Sequence, residues 1–361
     1  MLGVLTSEGS EPTYAPSTAG GDVPVAGVGT VVRITDAMAD AGVDEIRLAG
    51  VDPSVRTRLR ERRAGLVAGD AATAPVGSEH DRVLCAPTTA VAPPAALATL
   101  ARRAPAVLCR PAESLDPLTG PERRPVSVTV EALDGRPPTA APSVARELGD
   151  ALGELERDHV ADVRRPWELL DATEWCLAGT DDPDGAGLDG VERDLAGDVH
   201  PDAEVDGPVV VREGATVRSG AVVEGPTLVM PGAEVGPNCY VRANSFVSSE
   251  VDVGAAVEIK NSVLLPGAKV PHLSYVGDSV VGPATNVGAG SLVANLRHDE
   301  ESITLTHAGR RVDTGRRKFG VVVGERAKLG IGTRLNVGVV VGPEATTDPG
   351  EVVRRDKVAD E

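Results

Sequence analysis

The stretch that decides the fold is Val205–Leu265: VDGPVVVREGATVRSGAVVEGPTLVMPGAEVGPNCYVRANSFVSSEVDVGAAVEIKNSVLL. Every sixth residue from Val205 is aliphatic: Val205, Val211, Val217, Val223, Val229, Val235, Val241, Val247, Val253, Ile259 and Leu265. The positions between are mostly small, polar or glycine. A helix repeats at 3.6 residues and a coiled coil at 3.5, so neither sustains a strict six. Short β segments, each closed by a turn and wound into a three-sided coil, do. One β-branched side chain per segment then points at the axis and packs on those above and below. Three segments make a coil, so residues eighteen apart stack.

The pattern breaks after Leu265 and resumes at Val281, Val287 and Val293. A polar excursion follows, Leu296 to Gly320, and the period returns at Val323, Leu329, Leu335 and Val341. A solenoid absorbs such an excursion as a surface loop.

The first half of the chain reads as α/β. Val31–Ala41 predicts a helix ended by Gly42, and Val43–Leu48 a strand. Ser143 is placed to cap a second helix carrying Val144, Leu148, Leu152 and Leu155. Pro166 starts a third, PWELLDATEWCL, closed by Gly179. The Asp- and Gly-rich run 180–201 reads as a linker. The expected organisation is a front domain over 1–179, a linker over 180–201 and a solenoid over 202–355. The first 22 residues are expected as a loose terminus or long loop.

Composition narrows the function. The 361 residues carry 36 Lys+Arg against 54 Asp+Glu, a formal net charge of −18. Two Trp, three Tyr and two Phe cannot build a base-stacking platform, and an acidic surface disfavours phosphate-backbone binding, so no nucleic-acid partner is expected. No apolar run approaches the ~20 residues of a membrane span. The opening MLGVLTSEGS lacks the basic head and apolar stretch of a signal peptide, so a cytoplasmic location is expected. Only five basic residues are lysines, all at or after Lys260. An acidic, lysine-poor chain suits a salt-rich (halophilic) cytoplasm, and high genomic GC content has the same effect on lysine. Cys85, Cys109, Cys176 and Cys239 are widely spaced, without a Cys/His cluster, so buried thiols are expected rather than zinc or disulfides.

Candidate chemistry starts with His272, in the phrase VPHLSY, where the six-residue pattern breaks and the chain is expected to leave the regular wall. Histidine is the side chain suited to take a proton near neutral pH. Lys260 lies two segments earlier, and Arg242 lies one coil before Lys260. Two stacked cations point to an anion between them, a phosphate. The competing reading pairs them with Glu224 and Asp278, each one coil away. Asn286 and Asn295 flank NVGAGSLVAN, whose glycines let a ligand approach the backbone. The cluster Arg310, Arg311, Arg316, Arg317 and Lys318 reads as a coenzyme or subunit contact, with a solvated loop and a nucleic-acid patch as the alternatives.

The run VEIKNSVLLPGAKVPHLSYVGDSVVGPATNVGAGSLVANLRHD, with EIKN, HLSYVGD and NVGAG in order, resembles the acetyltransferase half of GlmU-type bifunctional glucosamine-1-phosphate N-acetyltransferases and N-acetylglucosamine-1-phosphate uridylyltransferases. The stretch AGRRVDTGRRKFGVVVG looks like their archaeal branch. The resemblance implies a left-handed parallel β-helix of hexapeptide repeats that forms a homotrimer, with acetyl-CoA and an amino-sugar 1-phosphate meeting between subunits and no metal. By motif, His272 matches the catalytic base. Arg242, Lys260, Tyr275 and Asn286 match residues that hold the sugar phosphate, and Ala289 and Asn295 match positions that meet the coenzyme. Leu296 departs from the bacterial pattern, where a Tyr follows the Asn, and Glu325 stands where bacterial members carry a Ser near the thioester. Backbone N–H groups at the glycine turns are expected to stabilise the oxyanion.

Pro24–Gly50 and Asp162–Leu177 resemble pieces of the α/β nucleotidyltransferase (reduced Rossmann-like) fold. The parts that handle a nucleoside triphosphate are missing from the sequence. No basic residue precedes Arg33, Val28 stands where the family has a lysine, and VLCAPTTAVAPP lacks the expected metal-binding aspartate. Phosphoryl transfer needs cations and a carboxylate-held metal, so the front domain is expected not to transfer nucleotides. The leading expectation is an amino-sugar-phosphate N-acetyltransferase. A working bifunctional enzyme and a non-catalytic scaffold are the alternatives.

Overall fold

The structure is a computed structural model that describes residues 2–6, 14–15, 24–26, 28–49, 51–63, 65–70, 82–87, 90–92, 94–101, 106–110, 124–132, 153–156, 161–178, 188 and 192–359 except 308. The chain forms two compact units. The first holds Met1–Pro12, Thr18–Arg164 and Asp181–Asp184. The second holds Thr13–Ser17, Arg165–Thr180 and Gly185–Glu361.

The first unit is a seven-stranded sheet in the order Gly153–Glu156, Ala106–Arg110, Arg124–Ala132, Arg82–Pro87, Leu2–Thr6, Glu45–Ala49, Val67–Asp70. Arg124–Ala132 runs antiparallel to both neighbours, and the other pairings are parallel. The helix Thr30–Asp40 buries Val31, Ile34 and Met38 in a core with Ile46, Leu48 and Leu84. A second helix, Pro53–Arg62, starts where Asp52 accepts from the Ser54 amide with Pro53 in the first turn. Its end is tied back by Arg62 and Arg63, which pair with buried Asp36 at 2.8 and 2.5 Å.

Several expectations change here. Leu2–Thr6, expected as loose terminus, is an inner strand of the sheet. Leu155 lies in the strand Gly153–Glu156 rather than a helix, and the rest of the helix expected after Ser143 lies outside the described residues. Pro24–Val25 pairs antiparallel with Val28–Gly29, which leads into the helix at Thr30.

The second unit is the solenoid. Three parallel sheets of eight, seven and eight strands form its first, second and third walls. It starts before residue 202: Arg193–Leu195 already stacks on Val209–Val211, and Asp198–Val199 on Thr216–Val217, so this part of the expected linker is the first coil. The inward column Val211, Val217, Val223 and onward to Ile259 is a continuous buried core.

The register explains the break. Up to Tyr240↔Glu258 the coils are eighteen residues apart, but Phe246 pairs with Val263, seventeen on. One residue is lost from the turn after Lys260. Leu264, not Leu265, therefore takes the axial position, Val270 and Val276 continue the column, and a second residue lost after Gly277 brings it to Val281. Both leucines are buried, but only Leu264 belongs to the axial core.

First-wall strands such as TLV, SFV and VVV are buried throughout, whereas second-wall strands such as Glu234–Val235 and Lys328–Leu329 pair one exposed charged residue with one buried aliphatic. The helix Pro166–Leu177 accounts for part of that difference. It packs on the first-wall strands Val263–Leu264 and Val280–Val281 and belongs to the solenoid unit, not the front domain.

The excursion Leu296–Gly320 folds into a hairpin, Thr304–His307 against Arg310–Asp313. Arg316 at its base donates to Asp171 at 2.5 Å and Glu174 at 2.6 Å on that helix, and His307 meets Trp167 edge-on at 5.6 Å. Burial opposes the charge on Arg316, but the Glu174 and Asp171 carboxylates outweigh it and hold the guanidinium pKa above its usual value. One member of the basic cluster is therefore an internal tie. Arg317 pairs with exposed Glu300 at 3.1 Å.

Candidate functional site

The corner where the third wall ends carries a polar column. Lys260 closes the strand Glu258–Lys260, and its ammonium donates to both oxygens of Asp278 at 2.9 and 2.8 Å. Asn261 donates to the same carboxylate at 2.9 Å, and Asn295 donates to it from the next coil. Asp278 is 2% exposed and Lys260 19%. Among the described residues, the Asn261 side-chain oxygen is buried without a partner.

Tyr275 opens the next third-wall strand, and its hydroxyl accepts from the Asn295 amide at 3.0 Å. The ring reaches over Gly277, where a Cβ would sit 2.3 Å from the Tyr275 oxygen, so a larger residue there would have to displace the ring. Burial, then the neighbouring Asp278 and Glu258 carboxylates, push the Tyr275 pKa up.

Arg242 lies next to Lys260 one coil earlier, its amide donating to Ile259 O. Its guanidinium pairs with Glu258 at 3.1 Å and sits 5.7 Å from the centre of the Tyr240 ring. Hydrogen bonding to Glu258 raises its pKa. Glu224 accepts from the Tyr240 hydroxyl instead. Carboxylates thus already offset the stacked cations, and the stack by itself does not call for a phosphate. Asp278 is the partner weighed for Lys260, while Glu258 replaces Glu224 for Arg242. Capacity remains: the ammonium has three donors and the guanidinium five. The Arg242–Glu258 pair is also exposed enough to yield at little cost.

His272 is not off the wall. It ends the regular second-wall strand Lys269–His272, paired with Ala255, and its side chain is exposed at the corner leading to the third wall. Lys269↔Asn286 continues the same register, which sets Ala289 directly below His272. Gly290 donates to His272 O at 3.2 Å and Gly288 to Leu329 O at 2.9 Å. The turn glycines therefore have no amide to spare. The Ala289 amide between them has no backbone acceptor among the described residues.

The register Asn286↔Lys328 carries the corner down to Ile331, 62% exposed, which lies under Ala289. Glu325, expected near the thioester, is buried at a different corner, its amide donating to Tyr14 O and its carboxylate accepting from Arg326. Leu273, 66% exposed, holds φ +51°, a left-handed conformation that costs a leucine ~1 kcal/mol or more.

One chain thus gathers Arg242, Lys260, Tyr275 and Asn295 on and beside the third wall, and His272 with Ala289 at the corner before it. Asn286 stands exposed on the second wall, between Lys269 and Lys328. Asn261 and Ile331 were not anticipated. Asn244, Asn261, Asp278 and Asn295 follow one another at seventeen-residue spacing, a signal that marks this corner as a polar ladder.

The architecture is a two-part chain, an α/β unit built on a mostly parallel sheet and a three-sided parallel β-helix. It is related to the bifunctional sugar-1-phosphate nucleotidylyltransferase/acetyltransferases. The family model described as the GMPPB C-terminal domain matches residues 223–360. The Sulfurisphaera tokodaii bifunctional sugar-1-phosphate nucleotidylyltransferase/acetyltransferase is 37% identical over 220 residues, 58% of this chain and 52% of its own length. The Methanocaldococcus jannaschii bifunctional protein GlmU is 36% identical over 221 residues, 58% of this chain and 51% of its own. The chain thus spans about half the length of these relatives. A mutant perosamine N-acetyltransferase from Caulobacter crescentus, solved with CoA and GDP-perosamine, matches 44% of this chain and 70% of that chain at 16% identity and a TM-score of 0.23.

Proposed function

We propose that the solenoid transfers an acetyl group from acetyl-CoA to the 2-amino group of an amino-sugar 1-phosphate, glucosamine 1-phosphate first among them. The observation that carries this is the corner of two successive coils, where an exposed imidazole, His272, stands over an uncommitted amide, Ala289. The amine attacks the thioester carbonyl as His272 accepts its proton. The Ala289 N–H donates to the oxyanion, and the C–S bond then breaks to release coenzyme A. A positioned base contributes ~10²–10⁴-fold, and one oxyanion donor ~10²–10³-fold.

Arg242, Lys260 and Tyr275 hold the sugar phosphate, and Asn295 fixes the Tyr275 hydroxyl beside the coenzyme. Asn286 lies on a different wall from Tyr275. A ligand that touches both takes them from two protomers, which is what a homotrimer supplies. The front unit does not transfer nucleotides in this reading. Arg33, the first basic residue, is buried and donates to Val25 O at 3.0 and 3.2 Å, so it is a structural tie rather than a triphosphate ligand.

The test incubates purified protein with acetyl-CoA and a panel of hexosamine 1-phosphates, reading thiol release and product mass. UTP- and dTTP-dependent pyrophosphate exchange is run in parallel. N-acetylated product without exchange is expected. Exchange would favour the bifunctional reading, and neither activity would favour a scaffold.

A further inference from the structure

A second polar feature lies at the C-terminal end of the solenoid. A cavity of about 350 Å³ opens where the excursion folds back on the last coils, and four arginines line it: Arg297, Arg311, Arg354 and Arg355. Arg354 and Arg355 follow the last third-wall strand, Val352–Val353. Asn336, also in the lining, sits one coil earlier, its amide donating to Val353 O. Arg311 comes from the hairpin, its guanidinium fixed by 2.6 Å bonds to the carbonyl and hydroxyl oxygens of Thr304. Ile303, Val337 and Val339 add apolar lining.

Charge sets this cavity apart. Arg297 pairs with Asp299, but among the described residues no carboxylate pairs with Arg311, Arg354 or Arg355. The acid in the lining, Asp356, accepts from the Val340 amide at 2.8 Å. Several unpaired guanidinium groups thus share one cavity on a chain of net charge −18. Their mutual repulsion is relieved by an anion, and planar forks favour one with several oxygens on a tetrahedral centre. None of the lining residues belongs to the candidate acetyl-transfer site.

We infer that this cavity is a phosphate-recognition site whose ligand is a nucleotide phosphate. The chemistry is shared by two sources, the phosphorylated adenosine end of coenzyme A and a free nucleoside diphosphate. The inference does not rest on acetyl transfer, because binding is read without turnover.

Calorimetry at constant ionic strength would titrate the full chain with adenosine 3′,5′-bisphosphate, UDP and inorganic phosphate in turn. The same titrations would use Arg354→Gln/Arg355→Gln and Arg311→Gln. These side chains are exposed, so the variants are expected to melt with the wild type, which is checked first. At least one nucleotide is expected to bind more tightly than inorganic phosphate, with affinity at least tenfold weaker in the double variant and weaker in Arg311→Gln. Preference for the bisphosphate identifies the coenzyme end, and preference for UDP a free nucleotide. Absence of nucleotide binding, preference for inorganic phosphate, or equal affinity in wild type and double variant overturns the inference.

Discussion

The Lys260–Asp278 pair offers a quantitative probe of the corner column. Asp278 accepts two bonds from Lys260, one from Asn261 and one from Asn295 while almost wholly buried. Lys260→Met leaves that carboxylate with two amide donors and no counter-ion. Breaking a buried pair from one side costs ~3–5 kcal/mol. The Lys260 ammonium retains 19% exposure, so Asp278→Asn, which keeps the volume and leaves the ammonium some access to water, falls lower, at ~2 kcal/mol. The double variant removes both charges and should cost less than the sum, giving a coupling of ~2 kcal/mol. Chemical denaturation of the four proteins, followed by far-ultraviolet circular dichroism, measures it. A coupling below ~0.5 kcal/mol, as for exposed pairs, would refute the reasoning.

Three further outcomes follow from the geometry. Gly277→Ala forces its Cβ against the Tyr275 ring and the Asn295 amide, so KM for the sugar phosphate should rise about tenfold or more and KM for acetyl-CoA should rise with it, as steady-state kinetics would read. Val270→Asp buries an unpaired carboxylate in the axial core and should lower stability by several kcal/mol, whereas exposed Lys269→Gln stays within ~0.5 kcal/mol in thermal melts. If Leu265 set the register, the two would not separate in this way. Burial pushes the Cys239 thiol up to about 12, so native-state alkylation at pH 8 should run ~10³-fold below a free thiol by mass spectrometry. Since the folded pKa lies above the unfolded one, the neutral thiol's contribution is complete below the unfolded value and is lost as pH rises toward 12.

The solenoid was legible because its core repeats. A β-branched side chain at every sixth position leaves no other economical fold, and the excursion announced itself as polar sequence between two valine registers. The break after Leu265 was harder. A one-residue shortening of a turn moves every later inward position without changing composition, so His272 looked like a loop residue when it closes a regular strand. The site was legible as residue types and spacing, but its charge balance was not. Asp278 was legible as a partner for Lys260 from its eighteen-residue spacing, whereas Glu258 takes the place of Glu224 beside Arg242 because Glu258 and Arg242 flank one strand pair. The front unit was hardest, because a strand such as Leu2–Thr6 is defined by neighbours far along the chain.

The central claim is best tested on the imidazole itself. Wild type and His272→Gln would be compared in thiol release from acetyl-CoA with glucosamine 1-phosphate across pH 5–9, with matched melting curves. The account predicts a kcat loss of at least ~10²-fold and an unaltered melting temperature. A variant that turns over at the wild-type rate with the same profile would contradict it.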